Sequence, residues 1–320
     1  MHTSTLIVSL DFELFWGMQD CIDLTEYEAN ILGGRKAIPQ MLELFQKHGI
    51  HATWATVGFL FGKNEEELRK YFPEQKPTYD NEVLSAYRCF GNIGKDEMDA
   101  PCFYGASLVE QIAQIPGQEI GSHTFSHYYC RENGQTTRQF QADVEAAKAI
   151  AADKGFALQS VVLPRNQCEP EYTRVLTDLG FATYRDEEND WIHEKIKFRP
   201  LMRILRLADV YLPLTGQGGY VPKVENGIVN LVGSRMYKPY FKPLAFLEGL
   251  KIRRIKEQML HAAKNGLTFH LWWHPHNVGA RTDFHMKQLE EIFSYYEELK
   301  EKYSMRSLNM GEAAWEVLNR

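Results

Sequence analysis

The sequence has little that would mark it for nucleic acid, for a membrane span or for a disulfide scaffold. Its 320 residues carry 36 basic side chains against 42 acidic ones, both signs interspersed, so the basic stripe that nucleic-acid binding requires is missing. No segment approaches the roughly 20 apolar residues of a membrane span. The five cysteines, Cys21, Cys89, Cys102, Cys130 and Cys168, are dispersed without CxxC spacing, which argues against a secreted disulfide framework. The start, Met1-His2-Thr3-Ser4-Thr5, lacks a basic n-region and a long apolar stretch before a cleavage site, and a cytoplasmic location is expected. The basic cluster Lys251, Arg253, Arg254 and Lys256 is expected to be the solvated face of a helix.

A chain of this length with 44% hydrophobic residues can bury a full core without staples, so a metal would serve chemistry rather than folding. The β-rich run Thr5–Leu10 is followed by helical spacing of Ile38, Met41, Leu42 and Phe45, a stop at Gly49, and a second apolar run from His51 to Gly58. Similar alternations follow, about seven in all, down to Leu267–Trp273 and the helical stretch 283–302. That pattern predicts an α/β fold, a closed or nearly closed barrel in a single domain over 1–320. Two irregular stretches, 64–117 and 185–226, read as insertions near the mouth of the barrel.

Polar residues gather where the predicted strands end. Asp11 and Glu13 follow the first, His123 and His127 follow 119–122, Arg165 follows 160–163, and His274 and His276 follow 267–273. In an α/β barrel these ends share one rim, where active sites form. Spacing by four would place His123 and His127 on one face of a helical turn, with Ser122 as its cap. Asp11 and Glu13, two apart on extended chain, point to the same side. Two carboxylates buried together repel, and a divalent cation held by the two histidines and one carboxylate removes the conflict. His270 reads as a satisfied core histidine and His274 as a general acid at the strand end. Trp54, Trp191, Trp272 and Trp273 could stack on sugar rings, although aromatic residues in strands are more often core.

These segments together resemble the polysaccharide deacetylase family (NodB-homology, carbohydrate esterase family 4-like), which includes chitin and peptidoglycan N-deacetylases. Ser9-Leu10-Asp11-Phe12-Glu13 looks like its first motif, and Glu119–His127, with HxxxH, like its second. Leu163-Pro164-Arg165-Asn166-Gln167 looks like the third and Trp272-Trp273-His274 like the last, with a weaker match at Asp190-Trp191. The resemblance implies a distorted (β/α)7-type barrel and a metal-dependent hydrolase, most often a zinc one, that removes an N-acetyl or similar acyl group from a sugar or glycan intermediate. It implies Asp11 as base, His123 and His127 as metal ligands, His274 as acid and Arg165 as the residue that positions the base. Asp-Phe-Glu replaces the adjacent aspartates of many members, which makes Glu13 the candidate third ligand. The third motif also lacks the usual Arg-x-Pro-x-Gly continuation. These departures suggest a divergent subgroup acting on something other than chitin. A metal-independent amidohydrolase of the same fold, or a non-catalytic carbohydrate-binding relative, are the alternatives.

Overall fold

Strand β1 (Thr5–Phe12) is buried along its whole length, as its unbroken apolar run requires of a parallel strand covered on both faces. The structure, a computed structural model, describes residues 3–187 and 191–319. After β1 come α1 (Leu24–His48), β2 (Ala52–Thr56), α2 (Glu65–Arg69), α3 (Ala106–Ala113), β3 (Gln118–Ser122), α4 (Thr137–Asp153), β4 (Ser160–Val162), α5 (Pro170–Asp178) and β5 (Thr183–Arg185). Then follow α6 (Trp191–Lys195), α7 (Arg199–Asp209), β6 (Lys223–Glu225), β7 (Ile228–Asn230), β8 (Arg235–Met236), α8 (Glu248–Asn265), β9 (Thr268–Trp273), α9 (Thr282–Tyr303), β10 (Arg306–Leu308) and α10 (Met310–Leu318). Gly49 and Gly266 end α1 and α8 in the left-handed conformation, the role glycine plays at helix C-termini.

The strands run β7-β5-β4-β3-β2-β1-β9-β8, and β7 and β8 are two halves of one run. Residues 228–230 pair with β5, Gly233 bridges to Glu187, and 235–236 pair with β9. One segment thus joins both ends of the sheet, giving the expected (β/α) barrel with a distorted seam. Parallel pairing aligns the carboxyl ends of β1, β2, β3 and β9 at one rim. The hydrophobic pattern did not reveal β10, which pairs with the first three residues of β1.

Region 64–117 packs under this rim. Trp16 donates to the Phe103 carbonyl at 2.8 Å and stacks on Phe90, and Phe59, Phe72 and Tyr87 extend the aromatic cluster to Phe125. The α8 cluster departs from expectation. Arg253 is solvated, but Lys251 and Arg254 are buried, on Glu248 at 2.6 Å and on Asp209 at 2.8 Å. The spacing was right for a helix, but two of the charges have buried acidic partners, Glu248 one turn away on the same helix and Asp209 distant in sequence.

Candidate metal centre and active site

Glu13 follows directly on β1, in a turn closed by the Trp16 N–H on the Glu13 carbonyl at 3.0 Å. Its side chain occupies the space beside Gly17, where a Cβ would fall 2.1 Å from the carboxylate carbon. Glycine is therefore required for the carboxylate to lie there. Glu13 Oε2 is 3.2 Å from Nε2 of His123 and 3.1 Å from Nε2 of His127, and all three side chains are buried. One ligand atom from each lies within 4.8 Å of the other two.

The two histidines do not sit on a helical turn. Thr124 and His127 adopt φ of 62° and 57°, a left-handed backbone that non-glycine residues hold only when their surroundings enforce it. Asp143 of α4 provides the enforcement. Its carboxylate accepts from the Phe125 N–H at 2.7 Å, the Ser126 N–H at 3.2 Å and the Ser126 hydroxyl. Gly58, at the end of β2, donates to the Thr124 carbonyl at 2.9 Å and leaves no room for a side chain against Phe125. Ser122 accepts from the Thr124 N–H at 3.1 Å, a contact within this loop and not the cap of a helical turn.

The protonation pattern suits a cation. His123 Nδ1 donates to the Val162 carbonyl at 2.8 Å, so in the neutral ring Nε2 carries a lone pair. That lone pair faces a carboxylate oxygen, and His123 Nε2 has no hydrogen-bond partner. Two acceptors in contact need a positive charge between them. Burial by itself would raise the Glu13 carboxyl. His274, His123 and His127 outweigh it and hold Glu13 well below the usual carboxylate range. Burial lowers His127, which favours the neutral, ligating imidazole. The residues present therefore fit a divalent ion with two imidazoles and one carboxylate.

Asp11 lies on the same side as Glu13, but its partner is not the one expected. Both Asp11 oxygens accept from Arg185, each at 2.7 Å. Burial opposes ionisation of Asp11; Arg185, with His274 and His123, prevails and lowers its pKa. Arg185 ends β5 and crosses the barrel to Ser9 at 2.9 Å, with its guanidinium 4.2 Å from the centre of the Trp272 ring. Arg165 instead pairs with Asp20 and, at 3.4 Å, with Glu132, its side chain 40% exposed. A left-handed Arg165 (φ 57°) directs it to the outer lip of the cleft. The third motif reaches the buried network through Asn166, whose Oδ1 accepts from Arg185 at 3.0 Å.

His274 Nε2 stands 3.6 Å from both Asp11 and Glu13. The Asn277 amide donates to its Nδ1 at 3.2 Å, so in the neutral ring the proton is on Nε2, facing the carboxylates. His276, not assigned a role in the sequence, is buried with Nε2 3.9 Å from Glu13 Oε1, and burial beside His274 pushes it down to about 3. His270 is a core residue as expected, bonded to Ser9 at 2.7 Å. Trp54 and Trp273 are fully buried, and Trp272 lines the cleft. Trp191 is partly exposed, and Asp190 lies outside the described residues. The cleft over these groups holds about 270 Å³, bounded by Met18, Tyr27, Arg165, Met236, Trp272 and Asn277.

Residues 32–183 match the polysaccharide deacetylase family model, so the resemblance read from the motifs is shown. That stretch includes His123, His127 and Arg165 and leaves Asp11, Glu13, Arg185 and His274 outside it. No curated protein sequence matches the chain. Solved structures that share the fold include a provisional polysaccharide deacetylase from Mycobacterium smegmatis, with TM-score 0.61 and 13% identity over 99% of this chain and 91% of that one. A 4-alpha-glucanotransferase from Thermococcus litoralis gives TM-score 0.55 and 12% identity over 98% of this chain and 40% of that one. An allantoinase gives 0.52 and 11% over 97% and 88%. The three names denote different reactions, so the fold alone does not choose a chemistry and the site must.

Proposed function

From a polysaccharide deacetylase domain with a buried Glu-His-His cluster, we propose a metal-dependent hydrolase that removes an N-acetyl or similar acyl group from a sugar or glycan intermediate. The observation that carries this reading is the contact of Glu13 Oε2 with both Nε2 atoms, 3.2 and 3.1 Å away in a buried site. Glu13, His123 and His127 are the ligands. A divalent ion there, zinc being the best match to two imidazoles and a carboxylate, supplies Lewis acidity and an activated water.

The chain's own groups handle the protons. Asp11 is kept ionised by Arg185 and accepts the proton of the attacking water. A C–O bond forms at the acyl carbon as the C–N bond breaks. His274, entering the step as imidazolium, gives its Nε2 proton to the departing amine and is left neutral, general-acid help typically worth about 10²–10⁴-fold. Arg185 fixes Asp11 with two parallel hydrogen bonds. The cleft, at about 270 Å³, has room for an acyl group and the sugar ring bearing it. In this reading 64–117 and 185–226 are insertions that shape its mouth, and the protein works in the cytoplasm on an intermediate rather than on finished polymer.

The test is acetate release from a panel of N-acetylated sugars, sugar nucleotides and lipid-linked sugars, after chelation and again after zinc addition. Activity that disappears with the metal and returns with zinc is expected. Full activity in metal-stripped His123→Ala would overturn the reading.

A further inference from the structure

Helix α7 has its amphipathicity turned outward. At about 3.6 residues per turn, Arg199, Arg203 and Arg206 share one stripe, and Leu201, Ile204, Leu205 and Ala208 share the opposite one. An ordinary surface helix buries its apolar stripe. Here Asp209 is the buried residue among those of α7, while Leu201 is 42% and Ile204 63% exposed. Phe198 before the helix and Leu212 after it are exposed as well.

Arg203 and Arg206, themselves exposed, border a cavity. Arg203, Arg206 and Leu207 line a space of about 510 Å³ together with Lys238 and Phe241, and the acidic Glu187 and Asp209 line it too. Met236 and Trp272 line both this cavity and the catalytic cleft, so the two adjoin. Directly after Phe241, residues Lys242–Leu247 form a 3-10 turn with none of its side chains buried, including Phe246 at 79% exposure. Two exposed apolar elements thus flank one cationic opening beside the active site.

Charge identifies what covers them. The whole chain is acidic, with a formal charge of -6, yet 191–212 carries five basic residues, Lys195, Lys197, Arg199, Arg203 and Arg206, against Glu194 and Asp209. Asp209 is spent internally on Arg235 and Arg254. Arg206 has Glu187 at 2.8 Å, and Lys238 has no acidic partner within ion-pair distance among the described residues. A basic helix with an exposed Leu/Ile/Phe face is the composition of a segment that lies in the plane of an anionic bilayer. Among the described residues no helix is long and apolar enough to cross a membrane, so the contact would be peripheral.

We propose that α7 and the Phe241–Phe246 segment seat on an anionic lipid surface, and that the substrate is a phosphate-bearing glycolipid drawn from it. Its phosphate enters the cavity lined by Arg203, Arg206 and Lys238, and its sugar reaches past Trp272 into the cleft. The substrate part rests on the deacylase reading above; the membrane part does not.

Two separate readouts keep these apart. Purified full-length protein is sedimented with vesicles of equimolar phosphatidylglycerol and phosphatidylcholine, and with pure phosphatidylcholine. Binding to the anionic vesicles that weakens as salt is raised is expected. Leu201→Asp with Ile204→Asp should reduce it by more than about tenfold, with an unchanged melting temperature because both side chains are exposed. Acetate release from a soluble N-acetylated sugar, where measurable, should be unaffected by this pair. Protein that stays in the supernatant with anionic vesicles, or binding that the double variant leaves intact, overturns the proposal. A chain that self-associates through Leu201 and Ile204 instead of binding vesicles overturns it too. Vesicle binding without deacylation of any substrate would sink the enzymatic reading and leave the docking surface standing.

Discussion

Two buried carboxylates grip the His123–His127 loop from opposite sides, and they are opposites electrically. On the cleft side, Glu13 meets the imidazoles of His123, His127 and His274, which hold its pKa well down. On the helix side, Asp143 meets backbone N–H groups and a hydroxyl, all neutral, and burial outweighs them and pushes it up to about 6. The same residue class at the same depth therefore does two jobs. A carboxylate among imidazole nitrogens stands at the cleft, where an ion and a substrate are to be handled. A carboxyl satisfied by neutral donors serves as a clamp on strained backbone.

Removing each carboxylate should separate the roles. Glu13→Gln is expected to lower deacylation on the order of a thousandfold and to strip the metal, since an amide is a poor ligand. Asp143→Asn, at a residue outside the coordination sphere, should weaken metal binding by no more than about 10–100-fold. Steady-state rates and elemental analysis read both. Equal metal loss in the two variants would erase the distinction.

The next effect concerns the base. Arg185→Met should cost about 10²–10³-fold in kcat with little change in KM, because Asp11 loses its bidentate partner. Arg165→Ala, which removes an exposed group on Asp20 and Glu132, should cost less than about tenfold. The reverse order would restore Arg165 to the role its motif implied.

The smallest effect is on stability. Asp143 has a folded pKa near 6, above its unfolded value of about 3.9. Its contribution is fully present below about pH 4 and is lost as pH rises through 6, by up to about 3 kcal/mol. Asp11 and Glu13 have lowered values and act in the other direction, losing their contribution as pH falls below about 4. Urea melts across pH 4–7 should show a slope in wild type that Asp143→Asn flattens. An unchanged slope would remove Asp143 from the account.

Much of this was legible in the sequence because one rule, polar residues at strand ends, maps onto one rim. Asp11, Glu13, His123, His127 and His274 all obey it, and the structure brings all five together. Arg185 obeys it too, at the end of β5, but in the sequence it opens the irregular stretch 185–226. Arg165 was preferred because the motif carries an arginine, and the left-handed turn that sends it outward leaves no trace in composition. Asp143 did leave one. It lies between Phe140, Val144 and Ala147 on the apolar face of α4, where a charge needs a buried partner. The helical turn assigned to HxxxH failed because spacing by four is compatible with a loop whose φ angles only the surrounding hydrogen bonds enforce.

The central claim is that Glu13 completes a metal site with His123 and His127. Calorimetric titration of zinc into chelator-stripped wild-type protein and into Glu13→Gln tests it most directly. One ion per chain in wild type, with affinity reduced by more than about a hundredfold in Glu13→Gln, is the predicted result. Equal affinity in the two proteins, or no binding by wild type, would contradict it.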